Sequence, residues 1–228
     1  MKPSVSPSAF AFLVCVAAVV MAVPAAANTD RVLYFASGKT ILKSMMNGSC
    51  LSVFEQDAGA PTGLVAGVRR LYWFDANEKA IMSKRLDESG PKKLIYNNSE
   101  AADVKYLAVD DRSEDGDVDL YWTDYIQDKI VMASVNVDGT YNASRTALTT
   151  LAFNDTVVFH NVSSSYTLDA PYGVAVNKPK NQLFWTQEQG QFDVLSSSLS
   201  GGLVTPHIGY NGIARGIAVD EVTQFIYY

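Results

Sequence analysis

An all-β array of similar small sheets is the fold class this sequence predicts, and three observations predict it. The string Leu120-Tyr121-Trp122-Thr123-Asp124 has looser copies at Leu71-Tyr72-Trp73-Phe74-Asp75, Leu183-Phe184-Trp185-Thr186-Gln187 and Val32-Leu33-Tyr34-Phe35, and a broken-off copy at Phe225-Ile226-Tyr227-Tyr228. Each of the last four copies follows an apolar β-branched run that ends in a turn. Large side chains alternate along the string, so both faces of that strand need cover. A motif that returns every few tens of residues marks a repeat architecture.

The elements follow in chain order. Residues 1–27 read as a secretory leader: Lys2 is the basic start, 9–23 are apolar, and Pro24-Ala25-Ala26-Ala27 supplies the small residues of a cleavage site. The apolar run of 15 residues falls short of the roughly 20 that span a bilayer, and no other stretch approaches it, so no membrane span is expected. Residues 28–228 are then one domain, large enough for a sizeable core.

The clearest repeat unit covers 171–208. Gly173-Val174-Ala175-Val176-Asn177 is a first strand, and Lys178-Pro179-Lys180-Asn181 turns the chain into the aromatic second strand. Residues 192–198 form a third strand, Ser200-Gly201-Gly202 a tight turn, and 203–208 a fourth, whose Pro206 suits an edge. The same order runs through 63–67, 71–75, 80–86 and 93–96, and through 106–110, 120–124, 129–135 and 145–151. The aromatic anchors Tyr34, Tyr72, Tyr121, Phe184 and Tyr227 lie 38, 49, 63 and 43 residues apart, with the excess placed in loops, which tolerate length cheaply. Four-stranded antiparallel sheets stacked face to face around an axis cover both aromatic faces, and that is a β-propeller. About four to five blades are present. Residues 152–170 stand out as an insertion loop, with a possible extra hairpin at 153–160.

These residues resemble the low-density lipoprotein receptor class B repeat, the YWTD propeller family. Its pattern runs P-x-G-I-A-V-D, L-Y-W-T-D and I-x-R-A-x-L-D-G. Pro171, Gly173, Val174, Ala175, Val176 and Asn177 follow the first part, Leu120 to Asp124 match the second residue for residue, and Ile81 to Asp87 follow the third. The likeness covers 31–228. It implies a YWTD-type propeller closed by six blades, of which this chain holds an incomplete set, with the chain expected to continue past Tyr228. It implies a structural role for Tyr72, Trp73, Asp75, Tyr121, Trp122, Thr123, Asp124, Phe184, Trp185 and Thr186, with Asp75 and Asp124 pinning neighbouring backbone. Gln187 could take that role only in part, through a neutral carbonyl, and Ala36-Ser37 cannot. It also implies a non-enzymatic, extracellular or cell-surface recognition module that binds a protein ligand or docks an adjacent module.

Composition and the remaining candidates agree with that setting. The net charge is −6 with no Lys/Arg cluster, which excludes the counterion-releasing surface that nucleic acid requires. Five N-glycosylation sequons occur, at Asn47, Asn97, Asn142, Asn154 and Asn161. Cys15 lies in the leader, so Cys50 is a lone thiol: a buried small hydrophobe, a link to another chain, or half of a pair completed elsewhere. No cofactor is required. Asp115, Asp117 and Asp119 alternate around Gly116 and could hold calcium, although a solvated turn is the ordinary occupant of such a run and the EF-hand pattern is absent. His160 and His207 occupy non-equivalent places, which argues against a paired site. The competing class is a metal-dependent propeller hydrolase of the gluconolactonase, regucalcin or strictosidine-synthase-like kind. Its ligands would be Asp110, Asn177 and Asp220, but these belong to the repeat pattern itself.

Overall fold

The computed structural model describes residues 18–21, 31–97, 103–113, 116–140, 149–153, 157–158, 165–166, 168–209 and 212–228. Among them there are strands and turns but no helix, and none is therefore long and apolar enough to cross a membrane. Four antiparallel meanders make four-stranded blades. They are β1 (Ala18–Met21), β2 (Val32–Ser37), β3 (Thr40–Met45) and β4 (Ser52–Glu55); β5 (Pro61–Ala66), β6 (Arg70–Asp75), β7 (Ala80–Arg85) and β8 (Lys93–Asn97); β9 (Val104–Asp110), β10 (Val118–Asp124), β11 (Lys129–Val135) and β12 (Thr149–Phe153); then, after the short hairpin β13 (Val157–Val158) and β14 (Ser165–Tyr166), β15 (Pro171–Asn177), β16 (Gln182–Gln187), β17 (Phe192–Ser198) and β18 (Thr205–Gly209). A two-stranded sheet, β19 (Ala218–Val219) and β20 (Ile226–Tyr227), begins a further blade. The molecule is a β-propeller of several blades, with the first strands of successive blades side by side at the centre.

The repeat is visible in the pairing register. Val65 faces Tyr72, Ala108 faces Tyr121, Ala175 faces Phe184 and Ala218 faces Tyr227, each followed by a pair with the preceding leucine or isoleucine. Because side chains alternate with a period of two, an identical register sends equivalent residues to equivalent faces. The core obeys this. Leu71 and Trp73 pack with Tyr34, Ile41 and Phe54 of the first blade, whereas Tyr72 and Phe74 pack with Leu107, Leu120 and Trp122 of the third. Tyr121 and Ile130 in turn meet Leu183, Trp185 and Leu195 of the fourth. The motif strands β6 and β10 are thus sandwiched between neighbouring blades, and β6 is buried at all six positions.

Two segments differ from the sequence expectation. Ala18–Met21 pairs with β2 and fills the inner position of the first blade, with Val19 opposite Tyr34 and Val20 opposite Leu33. Those residues belong to the stretch read as a leader. An apolar β-branched run satisfies either environment, and here it completes the hydrogen bonds of the β2 edge. The fourth strand of the third blade is Thr149–Phe153 and so runs two residues into the expected insertion. The hairpin within that insertion joins 157–158 to 165–166 and not the two halves of 153–160.

Candidate interaction surface

The blades present two faces. One carries the turns between second and third strands and the entries to the first strands. The other carries the turns between first and second and between third and fourth strands. On the former face, the middle residue of each P-x-G-like entry sits at one equivalent place. These residues are Thr62, Lys105, Tyr172 and Arg215. Pro61 faces Asp75, Val104 faces Asp124 and Pro171 faces Gln187, which fixes the equivalence of the first three. For the fourth, the motif threonines give it: Thr123 Oγ1 donates to the Tyr172 carbonyl at 2.6 Å, and Thr186 Oγ1 donates to the Arg215 carbonyl at 3.3 Å. Each motif threonine therefore ties its own blade to the entry of the next. In the second blade Phe74 stands at this position, and Thr62 Oγ1 supplies a link of its own to the Val104 carbonyl at 3.1 Å.

Three neighbouring entries build one cluster. The Tyr172 ring lies 5.7 Å from Tyr106 and 5.9 Å, edge-on, from Tyr125. Lys105 Nζ stands 5.3 Å from the centre of Tyr125 and 5.9 Å from that of Tyr172, and the Arg215 guanidinium is 5.7 Å from Tyr172. Glu188 ties the cluster together: it accepts from the Tyr125 hydroxyl at 2.9 Å and pairs with Arg215. Lys105 also pairs with Asp103 at 2.6 Å. The hydrogen bond and charge of Glu188 raise the pKa of both Tyr125 and Arg215. Burial, and then the neighbouring Tyr172, raise that of Tyr106. All three rings are half-buried and Arg215 is exposed. Cations held over tyrosine faces are pre-organised contacts, and tyrosine and arginine are the side chains that concentrate binding energy at interfaces.

Sequence reasoning missed this cluster. Its members are scattered along the chain, and only the ring brings them together. The signal was the variable column inside P-x-G, together with Tyr106, which replaces the glycine found at Gly63 and Gly173.

The predicted site residues fall elsewhere. Asp75 Oδ1 accepts from the backbone N–H groups of Ala60 at 3.0 Å, Asn77 at 2.9 Å and Glu78 at 3.4 Å, and Asp124 Oδ1 accepts from Gln127 at 3.1 Å. The Gln187 amide oxygen, equally buried, has no hydrogen-bond partner among the described residues, so its carbonyl does not take up even part of the pinning. Asp117 accepts from the Val137 N–H at 3.0 Å and Asp119 from Ser134 Oγ, while Asp115 lies outside the described residues. Asp117 and Asp119 share a shallow depression with Asp110 and the guanidinium of Arg112. Among the described residues no three His, Cys, Asp or Glu side chains are grouped as a metal cluster. Asn47 and Asn97 are exposed, and Asn142, Asn154 and Asn161 lie outside the described residues. Cys50 is an exposed free thiol, not a buried one.

The three positions considered for a hydrolase each have hydrogen-bond partners within the chain. Asp110 accepts from Arg112 at 2.8 and 2.6 Å; burial opposes its ionisation, but Arg112 and Lys178 hold its carboxyl below the usual value. Asn177 donates to Gln224 at 2.8 Å, and Asp220 accepts from Val222, Thr223 and the Thr223 hydroxyl. His207 lies on the outer strand β18, 2.7 Å from Ser196 Oγ, and burial lowers its pKa. His160 lies outside the described residues.

No family model matches the chain, and no curated protein matches it. Solved structures do. A nidogen/laminin complex contains a chain similar over 86% of this protein and 68% of that chain, with 19% identity and a TM-score of 0.63. A putative gluconolactonase aligns over 86% of this chain and 66% of its own, with 14% identity and a TM-score of 0.55. A streptogramin B lyase aligns over 87% and 72%, with 13% identity and a TM-score of 0.51. At such identities the likeness establishes the propeller fold, and it spans proteins of both binding and enzymatic kinds.

Proposed function

We propose that this chain is a secreted or cell-surface recognition module of the low-density lipoprotein receptor class B type. In this reading it binds a protein ligand or an adjacent module through the face bearing Tyr106, Tyr125, Tyr172, Lys105 and Arg215. The carrying observation is that cluster: three half-buried rings and two cations, delivered by three successive blades to one place. The YWTD-like repeat, with a shared register in four sheets, supports the family. The similarity to a chain of a nidogen/laminin complex supports a protein partner. The leader-like sequence pattern of 1–27, part of whose apolar run is held as β1 in the folded chain, and the sequons at Asn47, Asn97, Asn142, Asn154 and Asn161 support export and glycosylation.

The competing reading is a metal-dependent hydrolase, favoured by the similarity to a putative gluconolactonase. One experiment separates them. The intact chain and a Tyr172→Ala/Arg215→Ala variant, matched for melting temperature, are used to capture proteins from an extracellular-matrix extract and are assayed for lactonase activity with divalent metals. At least one captured protein should fall about tenfold or more with the variant, as loss of interface anchors does. Equal capture by both, or metal-dependent turnover, would reject the recognition reading.

A further inference from the structure

The opposite face holds a different feature, a cavity between the second and third blades lined by Arg69, Arg70, Tyr72, Asp111, Ser113 and Gly116, among others. Arg70 opens β6 and is 3% exposed. Its Nε donates to Ser83 Oγ at 3.0 Å and one Nη to the Asp138 carbonyl at 3.3 Å. A guanidinium offers five donors, and among the described residues no carboxylate forms an ion pair with Arg70 or with its exposed neighbour Arg69. Asp138 is committed elsewhere, to Thr140 at 2.9 Å and to Lys93 at 3.6 Å. The turn at Gly139 packs directly on the Arg70 side chain: at φ +84°, a Cβ there would stand 2.5 Å from Arg70 Cζ. The guanidinium is thus fixed in place and buried without a directly paired carboxylate among the described residues; the charges of Asp138 and Asp87 offset its burial only in part, which is an expensive arrangement for a charge.

Two other lining side chains carry hydroxyl donors, and Val68, Val118 and Val137 complete the wall. Burial pushes the pKa of Tyr72 far up, so its hydroxyl keeps its proton. Ser113 adds a second hydroxyl, and Arg69 lies against the Gly116 turn. Among the described residues the one lining carboxylate, Asp111, is already engaged: it accepts from the Val68 N–H at 3.0 Å and pairs with Lys178 at 2.7 Å. Among the described residues the cavity thus gathers two arginines and two hydroxyl-bearing side chains around one hollow.

We propose that this cavity is an oxyanion site that holds one carboxylate, phosphate or sulfate group against Arg69 and Arg70. Charge-assisted, forked contacts from arginine are the chemistry that recognises such groups. The site lies on the face away from the aromatic cluster and does not depend on what that cluster binds.

The test is calorimetric titration of the intact chain with sodium acetate, sodium phosphate and sodium sulfate, each against sodium chloride at equal ionic strength. At least one oxyanion should bind saturably with one site per chain, and the preferred one tells a carboxylate from a tetrahedral group. Arg69→Ala, an exposed position that the fold does not need, should weaken that binding about tenfold. Arg70→Lys, which keeps the charge but loses the fork, should weaken it as well, and Lys39→Ala on another surface should leave it unchanged. No saturable heat from any of the three anions overturns the proposal, and so does equal affinity in the wild type and Arg69→Ala.

Discussion

The second and fourth blades share one register and differ in how their polar groups are satisfied. In the second, buried Asp75 pins Ala60 ahead of the inner strand and the turn residues Asn77 and Glu78, and Trp73 Nε1 donates to the Ala58 carbonyl at 3.2 Å. In the fourth, Gln187 and Trp185 are as deeply buried, yet Gln187 Oε1 and Trp185 Nε1 have no partner among the described residues. The backbone still needs its pin. Ala170 is the counterpart of Ala60, and its N–H goes to Asp128 of the third blade at 2.7 Å. The role survives while its acceptor moves to the neighbouring blade. The aromatic half of the motif therefore sets burial and register, whereas the carboxylate half is a backbone lock that another residue can supply.

The sharpest break of this contrast is at Gly59. A Cβ there would stand 1.9 to 2.2 Å from the buried Asp75 carboxylate, on a backbone at φ +77°. Gly59→Ala should cost about 3 kcal/mol or more, combining strained backbone with displacement of the lock. In an Asp75→Ala background the same substitution should cost less, because the clashing atoms are gone. Additive unfolding free energies in that double-mutant cycle would refute the coupling.

Asp75→Ala by itself should cost about 3 kcal/mol, since it strands several backbone donors in a buried place. Chemical denaturation measures it, and a loss no greater than that of an exposed control such as Glu78→Ala would remove the lock from the account. The fourth blade predicts a different distribution. Gln187→Ala should cost under about 1 kcal/mol, because only packing is lost, and Asp128→Ala should cost about 1–2 kcal/mol through the Ala170 N–H. Asp128→Asn keeps an acceptor oxygen and removes a charge that burial already disfavours, so it should lie close to the wild type. The reverse order, with Gln187→Ala the costlier, would mean that the lock had not moved.

These blades also show what the sequence could tell. Tyr72, Tyr121 and Phe184, each ahead of Trp or an equivalent, were enough to give strand order, register and the burial of both faces, because those follow from a period-two pattern repeated in full. The relocation of the lock was not legible, since Asp128 sits in a turn and nothing local marks it as the partner of a residue 42 positions away. The interaction cluster failed for the same reason. Lys105, Tyr172 and Arg215 occupy a column that repeats in place but not in kind, and a search for recurring residues passes over the one variable position. Arg70 was hidden differently: its burial depends on the Gly139 turn of the next blade, which the residues around it do not foretell.

A last contrast concerns the hydroxyl opposite each aromatic anchor. Ser83 faces Tyr72 and Ser196 faces Phe184. Ser83 is held by Arg70, which stays charged at every physiological pH, whereas Ser196 is held by His207 at 2.7 Å. Burial lowers the His207 pKa below its ordinary 6.5, so between the two values the unfolded chain binds more protons than the folded one. The resulting stability is present above pH 6.5 and is lost as pH falls through the folded pKa. The group is more than a third exposed, so screening keeps the effect below about 1 kcal/mol. Between pH 7.5 and 5.5 the wild type should therefore lose more stability than His207→Gln, which keeps a hydrogen-bonding side chain but does not titrate. Ser83 offers the matching control, since Ser83→Ala should shift both ends of that range equally. Parallel pH profiles for the wild type and His207→Gln would show that the fourth blade is as insensitive to protonation as the second.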